Sequence, residues 1–337
     1  MKEYTVTVLM PVYNSEAYLA ETIDSILSQT YRDFKFLIIN DGSKDDSEKI
    51  ILSYSDPRIQ YLKNDKNIGI IGTLNRGLDI ISSKYIIRMD ADDIALPQRI
   101  AVQVAYMEQN PAMTVAGSGK INFSNRTEST ERIIVPIVDE RILFFQSIFN
   151  TCIPHPSAIL RNDIIQKYGI RYDSAYFGAE DKAMWLDLAK YGTLGNVIEP
   201  LIKYRAHENQ ISYTKQEECR RYSVAKTLEV LQGYGVSFDS EEKTVLRLIC
   251  YPDNCGDINT LYAAQKLADR LNIELRKLDL CDPDYINTFF YNRIKRIIVW
   301  STPLGMSLLK FIFFHRKYKF REFGYIFYKK SFKKAKK

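Results

Sequence analysis

Short apolar runs alternate with stretches of helical periodicity along residues 1–90. Four of the runs, at 5–10, 36–39, 59–62 and 85–89, are rich in β-branched and aromatic residues and predict strands. The first, second and fourth runs are apolar at almost every position, which is typical of strands covered on both faces. The pattern predicts a sheet with further layers above and below it.

Between these runs, apolar residues recur at helical spacing. They form three stripes: Leu19, Ile23, Ile26 and Leu27; Ile50 and Ile51; and Ile71, Leu74, Leu78 and Ile81. We expect Ser15 to cap the first helix, and Ser43 with Asp46 to form a capping box before the second. A strand–helix–strand order at this spacing predicts right-handed crossovers and hence a parallel sheet.

Polar residues follow each of the four predicted strands. They are Pro-Val-Tyr-Asn at 11–14, Asn-Asp-Gly-Ser at 40–43, Asn-Asp-Lys-Asn at 64–67 and Asp-Ala-Asp-Asp at 90–93. One such segment is common as a turn or helix cap. Four of them fall at the rim where open α/β sheets bind their ligands, so the sequence predicts a binding site there.

The chain has 337 residues, of which 46% are hydrophobic and 26% charged, as in an ordinary globular protein longer than one typical domain. Its five cysteines are odd in number and scattered, which indicates reduced thiols, and residues 1–14 carry no signal-peptide pattern. We therefore expect a cytoplasmic location. No Gly-x-Gly-x-x-Gly follows the first strand, and no Walker lysine loop or Gly-x-Ser-x-Gly elbow occurs, which argues against a dehydrogenase, a P-loop NTPase and an α/β-hydrolase.

Asp90, Asp92 and Asp93 concentrate negative charge directly after an apolar strand. Oxygen ligands of this kind suit Mg²⁺ or Mn²⁺, and the phosphate oxygens of a nucleotide diphosphate complete the shell of such an ion. The alternative is an acidic helix N-terminus, because Asp92 and Asp93 precede a predicted helix at 94–109.

Charge is distributed unevenly along the chain. Residues 291–337 hold fourteen Lys and Arg residues against one acidic residue, a net charge of +13, which leaves −7 for residues 1–290 because the whole chain carries +6. Aromatic residues interleave with these cations, which is typical of helices in the headgroup layer of an anionic membrane. Nucleic acid is disfavoured by the acidic body, and a merely solvated tail is the remaining alternative. Pro303 and Lys310 interrupt the apolar stretch at 297–314, so a transmembrane span is not expected.

Five ordered motifs, between about Thr5 and Ser212, resemble those of family 2 inverting glycosyltransferases with the GT-A fold. They lie at 11–16, at 40–43, at Asn67 with 75–77, at 89–93 and at 179–185. His-Pro-Ser at 155–157 and the segment 204–212 further resemble the branch that builds bacterial O-antigen and capsular polysaccharides. The resemblance implies an α/β fold with a mostly parallel central sheet, followed by a helical, basic-aromatic extension.

The resemblance also implies roles for individual residues. The nucleotide-sugar would be bound by Pro11, Tyr13, Asn14, Glu16, Asp41, Asn67, Arg76 and Asp90. Asp41 would accept a hydrogen bond from uracil, if the base is uracil. Asp92 would bind Mn²⁺ or Mg²⁺ directly, with Asp90 at the ribose or the metal shell. His207 or Arg205 would add a contact to the metal or the diphosphate.

Glu180 and Asp181 open a predicted helix, whose dipole would favour their ionised forms. By family position Asp181 is the catalytic base, and Glu180 orients the acceptor or supports a loop. His155 is assigned to the acceptor cleft, although a structural role between two prolines is as well supported. Trp185 is assigned to the acceptor as well, while its spacing predicts that it packs inward. The family often has an aromatic or acidic residue after the acid pair, so the presence of Lys182 leaves the acceptor contacts there open.

We expect a catalytic domain at 1–215, with a nucleotide-binding half at 1–95 and an acceptor half at 96–215. A helical subdomain at 216–284 and a membrane-associating tail at 285–337 follow. The predicted function is metal-dependent inverting transfer of a sugar from a uridine-linked donor to a lipid-linked saccharide, at the inner face of the cell membrane. The alternatives are a catalytically silent donor-binding or scaffold subunit of a polysaccharide assembly, and a nucleotidyltransferase, whose Gly-rich signature is missing.

Overall fold

The structure is a computed structural model that describes residues 4–124, 131–208, 210 and 214–315. The chain divides into two compact units, the first ending at Lys226 and the second beginning at Thr227. This division lies inside a helix, whereas the sequence predicted a boundary after residue 215.

The described strands of the first unit form one sheet. They are β1 (Val6–Val12), β2 (Phe34–Asn40), β3 (Ile59–Lys63), β4 (Tyr85–Arg88), β5 (Ile94–Ala95), β6 (Met113–Phe123), β7 (Arg132–Ile134), β8 (Ile159–Arg161) and β9 (Thr193–Arg205). Their order across the sheet is β3-β2-β1-β4-β8-β6-β9-β5, and β7 pairs with β6.

The part of the sheet formed by β1 to β4 is parallel, as predicted. Strand β1 pairs in parallel with β2 and β4, and β2 pairs in parallel with β3. All seven residues of β1 are buried, because helices cover both of its faces, whereas β3 at the edge is only half-buried. Beyond β4 the sheet is mixed, since β8 runs antiparallel to β4 and β6.

Helices pack on both faces of this sheet. They are α1 (Leu19–Leu27), α2 (Ser47–Leu52), α3 (Gly69–Ile80), α4 (Arg99–Gln109), α5 (Glu140–Phe149), α6 (Asn162–Tyr168), α7 (Glu180–Leu188) and α8 (Gln216–Gly233), the last of which continues into the second unit. Alternate residues of β1 point to opposite sides, so Val8 and Met10 pack in one core with α1 and α4, while Leu9 packs in the other with α3 and α7. The predicted apolar stripes of α1 and α3 are buried in these two cores.

The predicted helix caps are wrong. Helix α1 begins at Leu19, and the Ser15 hydroxyl donates to the carbonyl of Tyr13 instead of capping the helix. The Ser43 hydroxyl accepts from the backbone N–H of Asn14, on a different loop, and Asp46 makes no side-chain capping bond. The Ser43 hydroxyl therefore serves a tertiary contact between loops, which sequence spacing does not reveal.

The second unit is helical, as predicted. It contains α9 (Ser240–Cys250), α10 (Ile258–Arg276), α11 (Pro283–Trp300) and α12 (Met306–Phe314). Leu246, Leu267 and Ile294 are buried where α9, α10 and α11 pack together. The first part of the predicted tail at 285–337 is therefore a helix of this bundle, and residues 316–337 lie outside the described residues.

None of the helices in the described ranges combines the length and the hydropathy that a membrane span requires.

Candidate active site

The carboxyl ends of four parallel strands meet at one rim, as the sequence predicted. Asn40, the last residue of β2, lies beside Val12 of β1 and Lys63 of β3, and β4 pairs with the other side of β1. Pro11 is a buried residue of β1 and supports this rim from within the sheet. The predicted nucleotide-binding loops therefore lie next to one another.

Asn14 and Glu16 connect the loop after β1 to the loop after β2. The Asn14 side-chain oxygen accepts from the backbone N–H of Lys44 at 2.9 Å, and a Glu16 carboxylate oxygen accepts from the N–H of Asp46 at 2.8 Å. Asn14 has a φ of 48°, a left-handed conformation that Asn tolerates better than most residues. Both residues fix the loop, and they leave the ring of Tyr13 46% exposed at the rim.

Asp41 is buried at the start of α3. One of its carboxylate oxygens accepts from the Asn64 amide at 2.7 Å and from the Ile68 N–H at 2.9 Å, and the other accepts from the Gly69 N–H at 2.9 Å. A carboxylate offers about four acceptor positions. Asp41 therefore organises the N-terminus of α3 and uses three of these positions.

Arg76 reaches the same place from within α3. Its guanidinium donates to the Lys63 carbonyl at 2.8 Å and to the side-chain oxygen of Asn64. Asn67 accepts from the Gly69 N–H at 3.2 Å and is otherwise exposed. Asn64 joins Asp41 to Arg76, and we did not single it out from the sequence because one Asn in an Asn-rich turn carries no distinguishing signal.

Asp90, Asp92 and Asp93 form a carboxylate cluster with ligand atoms within 4.8 Å of one another. A two-residue strand, β5, follows the cluster and pairs with β9. Helix α4 begins only at Arg99, so the alternative of an acidic helix N-terminus is wrong.

Neighbouring positive charges and hydrogen-bond donors neutralise the negative charge of the cluster only in part. Arg88, itself buried, forms an ion pair with Asp90, yet loss of contact with water raises the pKa of Asp90. Asp93 is fully buried; one of its oxygens accepts from the backbone N–H of Arg205 at 2.8 Å, and the other has no hydrogen-bond partner among the described residues. Burial, and then repulsion from Asp90 and Asp92, raise the pKa of Asp93 well above its ordinary value.

The end of β9 closes onto this cluster. The ring nitrogen Nε2 of His207 lies 2.8 Å from a carboxylate oxygen of Asp92. Arg205 is buried, donates from Nε to the Asp92 carbonyl at 2.7 Å, and lies 4.5 Å from the ring centroids of both Tyr18 and Phe123. Arg205 therefore positions Asp92 through its backbone carbonyl. The sequence had also suggested that Arg205 contacts the metal or the diphosphate.

Glu180 and Asp181 stand in the first turn of α7, as predicted. The Glu180 carboxylate accepts from the Gly178 N–H at 2.5 Å, and the Asp181 carboxylate accepts from the Lys182 N–H at 2.6 Å. Withdrawal from water, and then repulsion from Glu180, raise the pKa of Asp181 to about 7. The sequence predicted that the helix dipole would favour the ionised form, but burial outweighs that effect, and the result is a carboxyl group able to accept a proton near neutral pH.

His155 and Trp185 lie in the interior. His155 is 9% exposed and its Nε2 lies 3.0 Å from the Tyr172 hydroxyl. Trp185 is 1% exposed and its indole N–H donates to the Ile153 carbonyl at 3.1 Å. The prediction that Trp185 contacts an acceptor is wrong, because the ring is enclosed by the core; the inward packing predicted from its spacing is correct. Tyr172 was missed, since no motif marks it.

A mixed sheet with a carboxylate cluster after β4 and an acid pair at the start of α7 defines a GT-A glycosyltransferase. Residues 7–169 match the family model described as glycosyl transferase family 2. An uncharacterised glycosyltransferase of Haemophilus influenzae is 35% identical over 227 residues, which cover 63% of this chain and 69% of the relative. The chain belongs to glycosyltransferase family 2.

Two other proteins are similar to this chain. The UDP-Glc:α-D-GlcNAc-diphosphoundecaprenol β-1,3-glucosyltransferase of Escherichia coli is 27% identical over 223 residues, which cover 66% of this chain and 85% of that protein. The structure of a mannosyltransferase from Pyrobaculum calidifontis, in complex with GDP-Man and Mn²⁺, superposes with a TM-score of 0.53 at 15% identity and covers 89% of this chain and 88% of that one. The second likeness concerns the fold alone.

Proposed function

We propose that this chain is a metal-dependent, inverting glycosyltransferase that moves a sugar from a nucleoside-diphosphate donor to a saccharide acceptor. One observation carries the proposal: buried Arg88 forms an ion pair with Asp90 of the carboxylate cluster, and its charge also acts on Asp181 of the acid pair, where it opposes the burial that raises the pKa of both carboxyl groups. A single buried cation therefore acts on both groups of acids. Donor-binding and acceptor-activating carboxylates that share one site are what a displacement at an anomeric carbon requires.

The residues of the cluster fit a divalent cation. Asp92 and Asp90 offer carboxylate oxygens, His207 offers an imidazole nitrogen, and Asp93 has a buried oxygen without a hydrogen-bond partner among the described residues. These donors suit Mn²⁺ or Mg²⁺, and the mannosyltransferase of similar fold was solved with Mn²⁺. A bound cation would stabilise the negative charge that develops on the diphosphate leaving group.

Asp181 is the proposed catalytic base. Its carboxylate removes the proton of the acceptor hydroxyl as that oxygen attacks the anomeric carbon from the face opposite the leaving diphosphate. The new glycosidic bond forms as the bond to the diphosphate breaks, so the configuration inverts. Glu180 assists by repulsion, because its negative charge raises the pKa of Asp181 and so increases the basicity of its carboxylate.

The proposed donor is a uridine diphosphate sugar. Asp41 has an acceptor position left for the uracil N–H, and its backbone N–H donates to the carbonyl of Val12, the residue before the exposed Tyr13. The name of the Escherichia coli relative gives a UDP-Glc donor and a diphosphoundecaprenol-linked acceptor, which supports a lipid-linked saccharide as the acceptor here and a role in bacterial surface polysaccharide synthesis.

A lipid-linked acceptor requires access to a membrane. In the second unit, Trp300, Met306 and Phe313 are 54%, 70% and 75% exposed, and Met306 and Phe313 are seven residues apart on one side of α12. The net charge of +13 over residues 291–337 favours anionic lipid. We assign these features to peripheral attachment at the inner face of the cell membrane.

The experiment that tests the function is a screen of UDP- and GDP-sugars with a polyprenyl-diphosphate-linked saccharide and Mn²⁺, read out by release of the nucleoside diphosphate. The proposal predicts release that depends on the acceptor. The anomeric configuration of the product, determined by NMR, is expected to be opposite to that of the donor. Retention of configuration would contradict the mechanism, and the absence of transfer with every donor would favour a donor-binding subunit.

A further inference from the structure

Helix α8 faces the segment that carries Glu180 and Asp181. Three of its residues, Cys219, Ser223 and Lys226, are spaced four and three residues apart, which places their side chains along one side of the helix. Each of them contacts a residue at 178–187. This part of the chain lies beyond residues 7–169, where the family model matches.

The central contact involves Lys182, which directly follows Asp181. Its side chain is 1% exposed, and its ammonium donates to the Ser223 carbonyl at 2.9 Å and to the Ser223 hydroxyl at 3.0 Å. A buried ammonium is costly unless hydrogen bonds hold it, so this geometry is strongly fixed. Lys182 therefore points into the protein, where its ammonium is held by Ser223.

Two contacts flank the central one. The Lys226 ammonium lies 3.0 Å from a carboxylate oxygen of Asp187 and 5.1 Å from the ring centroid of Tyr176. Gly178 has a φ of 76°, and a Cβ there would lie 2.3 Å from the sulfur of Cys219. Helix α8 thus holds the start of α7, the turn before it and the end of α7 at once.

We propose that Lys182 and Ser223 are positioning residues, and that α8 sets the place of the Asp181 carboxylate through them. The inference rests on the proposed role of Asp181 as the base. Its physical basis is that Lys182 acts twice: its backbone N–H donates to Asp181 at 2.6 Å, and its side chain anchors the same residue to α8. Displacing Lys182 therefore displaces the hydrogen bond that orients the base.

The charge of Lys182 also contributes. Burial, and then Glu180 beside Asp181, raise the pKa of the base, whereas Arg88 of β4 and Lys182 lower it. The negative charge of Asp181 in turn adds to burial in raising the pKa of the Tyr172 hydroxyl and of the Cys219 thiol. Removing the ammonium of Lys182 should raise the pKa of the base, and with it the midpoint of the pH–rate profile.

The test compares Lys182→Met, Ser223→Ala and the matched control Lys190→Met, whose lysine is exposed and pairs with Asp187 at the end of α7. We measure kcat, donor KM and the pH dependence of kcat for each full-length variant. We expect Lys182→Met to lose about 10- to 100-fold in kcat with donor KM nearly unchanged, and to shift the midpoint upward by about half a pH unit. Ser223→Ala should lose about threefold in kcat, and Lys190→Met should match the wild type.

A Lys182→Met protein with the wild-type kcat and pH midpoint would overturn the inference while leaving the proposed function in place, because the wild type would still transfer sugar in the same assay. Lack of transfer by the wild type would instead overturn the proposed function. If Lys182→Met does not fold, Ser223→Ala decides the matter, since it removes one hydrogen bond and no charge. Unchanged kcat in that variant would then overturn the inference.

Discussion

The imidazole of His207 lies 2.8 Å from the carboxylate of Asp92, although the two residues are 115 positions apart in the chain. The contact exists because β9 runs alongside β5, the short strand that follows the carboxylate cluster. The end of β9 thereby lies against the carboxylate cluster, and Arg205 supports it through the Asp92 carbonyl.

We expect His207→Ala to weaken metal binding without abolishing transfer. Loss of a group that ligates the metal or orients a carboxylate ligand should raise the Mn²⁺ concentration for half-maximal activity by about 10- to 100-fold. A titration of nucleotide release against Mn²⁺ measures this. His315→Ala, in the second unit, is the control; equal Mn²⁺ dependence of the two variants would remove His207 from the metal site.

The rate of transfer should increase with pH through about 7. Asp181 must be ionised to accept a proton, and withdrawal from water and the neighbouring Glu180 raise its pKa to about 7, against Arg88 and Lys182. A pH–rate profile of kcat shows the rise, and Asp181→Asn should lose about 10²- to 10⁴-fold in kcat while calorimetry shows unchanged donor binding. Activity of Asp181→Asn within twofold of the wild type would place the base elsewhere.

Asp181→Asn should also be more stable than the wild type in alkaline solution. Because the pKa of Asp181 is about 7 in the folded protein and about 3.9 in an unfolded chain, the stability it contributes is present at low pH and is lost as pH rises through about 7. Above that pH we expect the variant to unfold about 2–4 °C higher, as about 1 kcal/mol produces in a domain of this size. Unfolding temperatures that depend on pH identically in both proteins would contradict the shifted pKa.

The exposed apolar face of the second unit should bind anionic vesicles. We compare the double variant Met306→Glu/Phe313→Glu with Ile273→Glu, a control at a residue of α10 that is 59% exposed. Sedimentation with phosphatidylglycerol vesicles should fall about tenfold for the double variant alone, because it loses buried apolar contacts and gains charge repulsion. Equal binding of the wild type to phosphatidylcholine and phosphatidylglycerol vesicles would contradict the electrostatic part.

Local sequence patterns were enough to predict the parallel part of the sheet. The apolar runs of β1, β2 and β4 and the stripe of α3 depend on neighbours in the sequence, so their periodicity identifies them. The cluster of Asp90, Asp92 and Asp93 was noticed by the same means, because it follows a predicted strand, whereas the roles of Asp92 and Asp181 were predicted from the family resemblance. The mixed pairing of β8 with β4 and β6 depends on long-range contacts and was not predicted.

The sequence also did not predict the properties that arise from tertiary packing. The Ser43 hydroxyl bonds a loop 29 residues away, so the predicted capping box did not form. The raised pKa of Asp181 comes from the groups enclosing it, which no helix-dipole argument includes. For Trp185, the family motif suggested an acceptor contact, whereas the helical spacing predicted inward packing. The spacing gave the correct prediction.

The measurement that tests the account most directly is the rate of nucleoside-diphosphate release from the preferred donor, titrated with EDTA and then with Mn²⁺, for the wild type and Asp92→Ala. The exposed Asp65→Ala serves as the control. We predict that the wild type and the control lose activity in EDTA and regain it with Mn²⁺, while Asp92→Ala remains folded and inactive at every Mn²⁺ concentration. Full activity of the wild type in excess EDTA, or of Asp92→Ala with Mn²⁺, would contradict the account.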